Sequence, residues 1–514
     1  MVNRQRYGGE SDIHGTMPKK ITDMRTRRLE LGLPQGDVAD RAAVRETDLR
    51  KWERGLELPD RAAAERIGKV LGIDAERLLQ EQEQHAGSAT PGEGYTTAEA
   101  GKGDVVPRRV EPPRGTRRVL DIFCGSGGLS FGFEQSGGFA TTCGIDLLPD
   151  RIETFVTNHQ HATGIAGDLR AHSLRELHRL TGEVDVVVGG PPCQGFSSIR
   201  PFRNLTEGDP RNSLAEHYVL IINDLRPEWF VFENVVGILT HEGGMRLQSV
   251  LEGLSAAGYS VDWRVVNAAL FGVPQYRERI VIVGNRIGVP FIWPKPTHRV
   301  DYKSMAGARP EVIRTDPLFS VGLPDAVTLM EAIDDLPPIP SAGEATAYGK
   351  AARTDYQRLM RTGSKELTLH KATKHSPKML GIIRHAGANI SALPPGMVKS
   401  GFSSCYSRLD ADRPSTTLTV NFVHPASNRC IHPHQDRALT PREGARIQSF
   451  PDRFEFRGTR AQIVKQIGNA VPPLLGQRIA EAILHSEQNN AKQNPRHEPK
   501  PARHTAGLGA ASPR

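Results

Sequence analysis

The chain has 514 residues, with 66 Lys plus Arg against 58 Asp plus Glu and a net charge of +8. At roughly 100–200 residues per domain this length predicts two to four domains, and 38% hydrophobic with 24% charged residues excludes wholesale disorder. No apolar run approaches the ~18 residues of a membrane span, and the polar start shows no signal core. Five cysteines, none spaced as CxxC, argue against a disulfide framework and a structural zinc site and fit a cytoplasmic protein. The basic excess suits a polyanionic partner without requiring one.

Over 19–80, apolar residues recur at helical spacing: Ile21, Leu29 and Leu33, then Val38, Ala39 and Ala42, then Leu49 and Trp52, then Ile67, Val70 and Leu71. About five short helices are predicted there. Residues 81–117 are rich in Gly, Pro and charge and read as a flexible linker. From 118 to 287 short apolar runs alternate with helical stretches, starting with 119–123, 141–145, 184–188, 229–232 and 279–283. That alternation predicts an α/β domain with a parallel sheet and helices on both faces. Residues 288–435 are irregular and loop-rich, 436–486 become regular again with a terminal helix near 474–484, and 487–514 read as a disordered tail.

The first chemical motif is Asp121-Ile-Phe-Cys-Gly-Ser-Gly-Gly-Leu129, a glycine-rich turn between a strand and a helix. Gly125, Gly127 and Gly128 allow a sharp turn and close approach to a ligand. Asp146, about twenty residues on at the next strand end, is placed for ribose hydroxyls, and Asp168 for an adenine amino group. The plain alternative is a tight turn with two surface carboxylates.

The second motif, Gly189-Gly-Pro-Pro-Cys-Gln-Gly-Phe-Ser197, puts Cys193 on a loop at a strand's carboxyl end. A thiolate there is a nucleophile, whereas most lone cysteines are inert core residues. Those do not call for Gly-Gly-Pro-Pro before them. Glu233 in Phe232-Glu-Asn-Val235 follows three apolar strand residues, so partial desolvation would help it hold a proton. In Gln275-Tyr-Arg-Glu-Arg279, alternation puts Gln275, Arg277 and Arg279 on one side. The two guanidinium groups suit a phosphate or a carbonyl, or simply a salt-bridged strand face.

Together with Gln466-Ile-Gly-Asn-Ala470, Thr440-Pro-Arg-Glu443 and Gln448-Ser-Phe-Pro-Asp452, these blocks occur in an order that resembles the DNA (cytosine-5-)-methyltransferase family. The resemblance spans about 118–486. It implies a Rossmann-like S-adenosylmethionine-dependent methyltransferase domain, completed by a returning 436–486 segment, with a smaller target-recognition domain over 288–435. By the resemblance, Cys193 adds to carbon 6 of a flipped cytosine and Glu233 bonds the ring nitrogen and amino edge. Arg279, with Arg277, holds the base carbonyl. Phe123, Asp146, Asp168, Pro192, Leu214 and Asn469 surround the cofactor. Asp146 stands where the family often has Glu. Ser407-Arg-Leu409 and Arg413-Pro-Ser-Thr-Thr417 resemble family-common residues near the end of the recognition segment. No metal is implied.

The 19–80 segment, with Arg25-x-x-Arg28, Gln35, Val38-Ala39, Val44, Leu49, Trp52-Glu53, Gly55 and Pro59, resembles the repressor-type helix-turn-helix family. A reading helix over 46–54 would bring Arg45, Thr47, Arg50 and Lys51 to DNA. Ala43 in place of the usual turn Gly, and the acidic Glu46 and Asp48, are departures. The implied partners are duplex DNA at the target site and an operator, a cognate restriction endonuclease, and a second copy through this module. The alternatives are an RNA cytosine-5 methyltransferase, against which Asn234 stands where such enzymes place their cysteine, and a DNA-binding regulator with an inactive methyltransferase domain.

Overall fold

The alternation of strand and helix over 118–287 is realised as one mixed sheet. The computed structural model describes residues 24, 27–28, 31, 33, 35–52, 59–74, 104–192, 214–315, 321–398 and 401–493. The chain divides into two compact units, Met1–Thr96 and Thr97–Arg514.

In the first unit the described helices are α1 (Gln35–Arg41), α2 (Glu46–Trp52) and α3 (Arg61–Leu71). Met24, Val38, Ala39, Ala42, Leu49, Trp52, Ala63, Ile67 and Leu71 form their common core. Ala43, between α1 and α2, has φ +48°. The turn therefore demands the left-handed conformation that glycine adopts without strain, and alanine supplies it at some cost. Asp60 caps α3 by accepting from Ala63 N at 2.7 Å, and Gly72 closes it in the left-handed conformation.

The second unit runs β1 (Asp104–Val106), β2 (Arg117–Ile122), α4 (Gly128–Gln135), β3 (Phe139–Asp146), α5 (Pro149–Asn158), β4 (Thr163–Ala166), α6 (Leu174–Thr181) and β5 (Val186–Gly189). It continues with α7 (Leu214–Leu225), β6 (Trp229–Val235), α8 (Met245–Ala256), β7 (Ser260–Asn267) and β8 (Glu278–Asn285). Among the described residues the sheet order is β1-β4-β3-β2-β5-β6-β8-β7. Period-two alternation sorts its side chains into two cores. Val119, Val186, Val188, Trp229, Val231, Val281 and Val283 face one way, against Leu129 and Phe133 of α4. Leu120, Ile122, Val187, Phe230, Phe232, Ile280 and Ile282 face the other, against Tyr218, Ile222, Leu247 and Leu254 of α7 and α8.

The sheet is not wholly parallel. β8 runs antiparallel to both β6 and β7, and β1 runs antiparallel to β4 at the far edge. Only residues 268–277 link β7 to β8, fewer than a parallel crossover needs. β1 also corrects the linker expected over 81–117: Asp104–Val106 pairs with Thr163–Ala166, although three exposed residues carry no periodic signal.

Beyond the sheet lie α9 (Leu329–Ile333), α10 (Asp355–Arg361), α11 (Pro377–Arg384), the short pair β9 (Ser407–Arg408) and β10 (Arg429–Ile431), then α12 (Pro441–Ile447), α13 (Arg460–Asn469) and α14 (Pro473–Gln493). Leu329, Ile333, Tyr356 and Met360 share one core with Ile447, Phe450 and the α4 face of the sheet. Arg446 pairs with both Asp335 and Asp452, Arg361 with Asp335 at 2.7 Å, and Arg437 with Glu443 at 2.7 Å. Every partner in these pairs except Arg361 is essentially unexposed.

Helix α14 returns across α4 with backbones in contact. A Cβ on Gly132 would lie 2.1 Å from Pro473 O, and one on Gly476 would lie 2.5 Å from Leu129 O. Residues 487–493, expected to belong to a tail, are helical, because α14 continues to Gln493. Glu487 accepts from Trp229 Nε1 at 2.8 Å and pairs with Arg117 at 2.7 Å, which anchors that extra length. Among the described residues no helix is long and apolar enough to cross a membrane.

Candidate active site

β2 ends at Ile122 and the chain turns through Phe123 (φ +60°), Gly125 (φ +55°) and Gly127 (φ +84°) into α4. Phe123 is a bulky residue in the left-handed region, and such strain persists only where the surroundings enforce it. The turn is tied to the end of β3: Asp146 accepts from Gly125 N at 2.9 Å and from Leu148 N at 3.1 Å. Burial pushes the Asp146 carboxyl up, while Arg151 and those two N–H groups pull it back. A Cβ added to Gly125 would meet nothing within 4 Å, so open space lies before this stretch of backbone. That is the form a ligand cradle takes.

Asp168 follows β4 and is gripped by Arg170, with Oδ2 2.6 Å from Nη2 and Oδ1 3.0 Å from both Nε and the backbone N. Burial acts to raise its carboxyl, but the Arg170 contacts win and hold it below the ordinary value. Leu214 opens α7 and is buried. Asn469 ends α13, far away in sequence. The return segment reaches the turn because a Cβ on Gly128 would lie 2.3 Å from Val471 O. Phe123, Gly125, Gly127, Gly128 and Asp146 therefore gather around one turn, with the chain just past Asn469 against it. Gln466, from the same returning motif, serves as a dock: it accepts from Thr154 Oγ at 2.7 Å and donates to Asp150 at 2.9 Å.

Cys193 lies outside the described residues. The approach to it is described as far as Pro192, which is exposed. A Cβ on Gly190 would lie 2.9 Å from Glu233 Oε2, and Asn234 Nδ2 donates to Pro191 O at 3.5 Å. Glycine thus lets the loop pass close over the Glu233 carboxylate. Glu233 in turn pairs with Arg279, Oε1 to Nε at 2.8 Å, and each residue is 9% exposed. Arg279 Nη1 donates to Glu278 O at 2.7 Å, which fixes the guanidinium. A carboxylate and an oriented guanidinium at the mouth of a loop can bind a planar polar edge by several hydrogen bonds at once.

Arg277 does not join that pair, which corrects its expected share in catalysis. It is 2% exposed. Nη1 donates to Leu418 O at 3.3 Å and Gln275 Oε1 at 3.4 Å, and Nη2 donates to Gly468 O at 3.3 Å and Asn469 O at 3.5 Å. Returning segments cover this position of the alternating face, so its Nη1 and Nη2 groups reach their carbonyls. Burial, then Arg279, holds its guanidinium well below the ordinary value.

Sequence reasoning gave no role to Ser415 and Thr417. Ser415 pairs with Gln275 as an isolated bridge, and Thr417 Oγ donates to Tyr276 O at 2.6 Å, so this segment supports the strand that carries Arg279. It likewise passed over Ser130 and His159, which join Asp121 beneath the glycine turn. In the first unit Arg45 pairs with Asp48 at 2.7 Å, and its side chain is largely exposed. The side chains of Thr47, Arg50 and Lys51 lie outside the described residues.

The C-5 cytosine-specific DNA methylase family matches residues 117–485. Type II methyltransferase M.AgeI of Thalassovita gelatinovora is 32% identical over 441 residues, covering 71% of this chain and 99% of its own length. Type II methyltransferase M1.HphI of Haemophilus parahaemolyticus is 34% identical over 378 residues, covering 72% and 87%. Among solved structures, a candidate DNA modification methyltransferase encoded within an E. coli prophage shares the fold, with TM-score 0.56 and 23% identity, over 73% of this chain and all of that one. The chain belongs to the C-5 cytosine-specific DNA methylase family, which takes its methyl group from S-adenosyl-L-methionine.

Proposed function

We propose that this chain methylates carbon 5 of a cytosine flipped out of a specific duplex DNA sequence, as the modification half of a Type II restriction–modification pair. The observation that carries this reading is the Glu233–Arg279 pair beneath the Gly190–Pro191 backbone that leads to Cys193. The relatives named as Type II methyltransferases support the pairing with a restriction endonuclease.

Phe123, Gly125, Gly127, Gly128, Asp146, Asp168, Pro192, Leu214 and Asn469 would hold the cofactor. The open space before Gly125 and the buried carboxylate behind it fit an adenosyl group. When bound, S-adenosylmethionine supplies an electrophilic methyl group. Cytosine carbon 5 is too poor a nucleophile to take it unaided. The Cys193 thiolate adds to carbon 6, and the ring electrons move to carbon 5 as an enamine. Glu233 bonds the ring nitrogen and exocyclic amine, and Arg279 bonds the base carbonyl and fixes Glu233. Once carbon 5 carries the methyl, its proton leaves to a base, the electrons return, and the sulfur–carbon 6 bond breaks. Flipping costs a few kcal/mol of unstacking. Residues 288–435 are the segment that reads the target.

The first unit is a helix-turn-helix module in this reading. Support comes from the short helix Glu46–Trp52 following a left-handed turn at Ala43. Arg45, Thr47, Arg50 and Lys51 contact an operator, a second copy pairs through this unit, and binding represses the chain's own gene in the cytoplasm.

Methyl transfer to duplex DNA, comparing wild type with Cys193→Ala and mapped by bisulfite, tests the enzyme reading. Activity surviving in Cys193→Ala overturns the mechanism, and label appearing only on RNA overturns the substrate. Footprinting of the full chain on DNA upstream of its gene tests the regulator reading, and an unprotected upstream region sinks it.

A further inference from the structure

Asp121 opens the glycine-rich motif, yet the mechanism uses none of its chemistry. It is 2% exposed, and so is not free to meet substrate. Its Oδ2 lies 2.6 Å from Ser130 Oγ in the first turn of α4. Ser130 Oγ lies 3.2 Å from Nε2 of His159, the residue that closes α5, and 3.2 Å from Gly127 O. His159 Nδ1 lies 3.0 Å from Phe155 O, and the ring stacks on Phe155 with centroids 4.3 Å apart. Ser130 and His159 are as deeply buried as Asp121.

Counting protons over these contacts leads to one conclusion. A carbonyl only accepts, so His159 Nδ1 carries a hydrogen that goes to Phe155 O. If Asp121 were ionised and His159 neutral, Ser130 would have one hydroxyl hydrogen facing three acceptors: a carboxylate, a ring nitrogen and the Gly127 carbonyl. The lone pair of Ser130 would also oppose that of Nε2. One additional proton removes the conflict. On Asp121 it lets the acid donate to Ser130 and Ser130 donate to His159.

The titratable groups around the acid favour keeping that proton. Asp146 of β3, the Cys124 thiol of the turn and the Tyr218 hydroxyl of α7 act on or with Asp121, and none brings a positive charge. Cys143 of β3 stands beside Cys124, and Arg151 of α5 faces Asp146. Burial, aided by Asp146, pushes the Asp121 carboxyl up to about 7 against the Ser130 hydrogen bond.

The network also touches the turn itself. A Cβ on Gly127 would lie 2.5 Å from His159 Cε1, so the ring packs directly on the turn, and Ser130 Oγ reaches Gly127 O at 3.2 Å. The Gly125 end is held by Asp146, whose charge in turn raises the Asp121 carboxyl. We propose that Asp121, Ser130 and His159 are positioning residues for the cofactor turn, and that Asp121 holds a proton whose loss weakens S-adenosylmethionine binding. This rests on the reading of residues 123–128 as the cofactor site.

Calorimetric titration of the full chain with S-adenosyl-L-homocysteine between about pH 5.5 and 8.5 tests it. In wild type the Kd is expected to rise above about pH 7, by at most about tenfold per pH unit for one proton. Asp121→Asn is expected to bind with a flat profile near the wild-type low-pH value, because its amide donates to Ser130 without titrating. The same slope in wild type and Asp121→Asn overturns the proposal. Should that variant fail to fold, wild type alone is titrated at about pH 7.5 in two buffers of different ionisation enthalpy. Net proton uptake on binding is expected, and its absence overturns the proposal. Asp146→Ala is the separate arm. It should weaken binding at every pH, and unchanged binding would overturn the cofactor-site reading rather than the proton on Asp121.

Discussion

The sheet of β2, β3, β5, β6 and β8 and the irregular region around α9, α10 and α12 are both deeply buried, yet they hold themselves together by different means. In the sheet, ladders pair the backbone polar groups, and side chains need only sort by face: Val119, Val186, Val188 and Trp229 to one core, Leu120, Val187, Ile282 and two phenylalanines to the other. The irregular region has few ladders. Its chain ends and carbonyls are gathered by arginines: Arg446 on Asp335, Asp452 and Ala332 O, Arg437 on Glu443 and Ile339 O, and Arg442 on Thr368. A backbone that does not pair with itself requires side-chain partners, and burial then makes those partners indispensable.

This contrast can be broken by mutation. The largest expected effect is Arg446→Ala, which strands Asp335 and Asp452 without their shared cation and should cost about 3–5 kcal/mol in urea unfolding. A loss below about 1 kcal/mol, the size of a surface pair, would mean that the buried arginines do not organise the region. Next comes Gly132→Ala, where the new methyl meets Pro473 O and must part α4 from α14, costing about 1–3 kcal/mol. Thermal unfolding with unchanged Tm would refute the close crossing. Ile282→Val, a one-methylene change inside the sheet, should cost about 0.5–1.5 kcal/mol.

The smallest test is the sharpest, because the two regions should respond to pH in opposite directions. Burial pushes the His432 imidazole down to about 4, against the pull of Glu443. Its unfolded form takes up a proton near pH 6.5, so this contribution is full above that and is lost as pH falls toward about 4. Asp121 is pushed up to about 7, so its folded form keeps a proton that the unfolded form has released. Its contribution is full below about pH 4 and is lost as pH rises through about 7, at no more than about 1.4 kcal/mol per pH unit. Hydrogen exchange by mass spectrometry, corrected for intrinsic rates, should show 430–443 loosening on acidification and 121–130 loosening toward alkaline pH. The same trend in both segments would contradict this account.

Much of the candidate site has a local chemical signature. A glycine turn after a strand, a Pro-Pro-Cys loop and a carboxylate after three apolar residues each carry a signal within ten residues. The structure places Gly125, Asp146, Glu233 and Arg279 accordingly at strand ends of one sheet. Ser130 and His159 were not legible, because their meaning lies in a contact across 29 positions. The edge strand Asp104–Val106 was read as linker, since a three-residue strand shows no period.

What the sequence determined by itself was the set of reactive groups, their order, and the alternation that builds a sheet with two apolar faces. What only the tertiary structure decided was how those groups are used. Arg277 and Arg279 sit two residues apart on one strand face, and nothing local tells them apart. The returning chain does: the carbonyls of Leu418, Gly468 and Asn469 engage Nη1 and Nη2 of Arg277, while Arg279 pairs with Glu233. Hydrogen-bond donors go to whatever acceptors burial brings within about 3 Å, and those acceptors come from residues more than a hundred positions away.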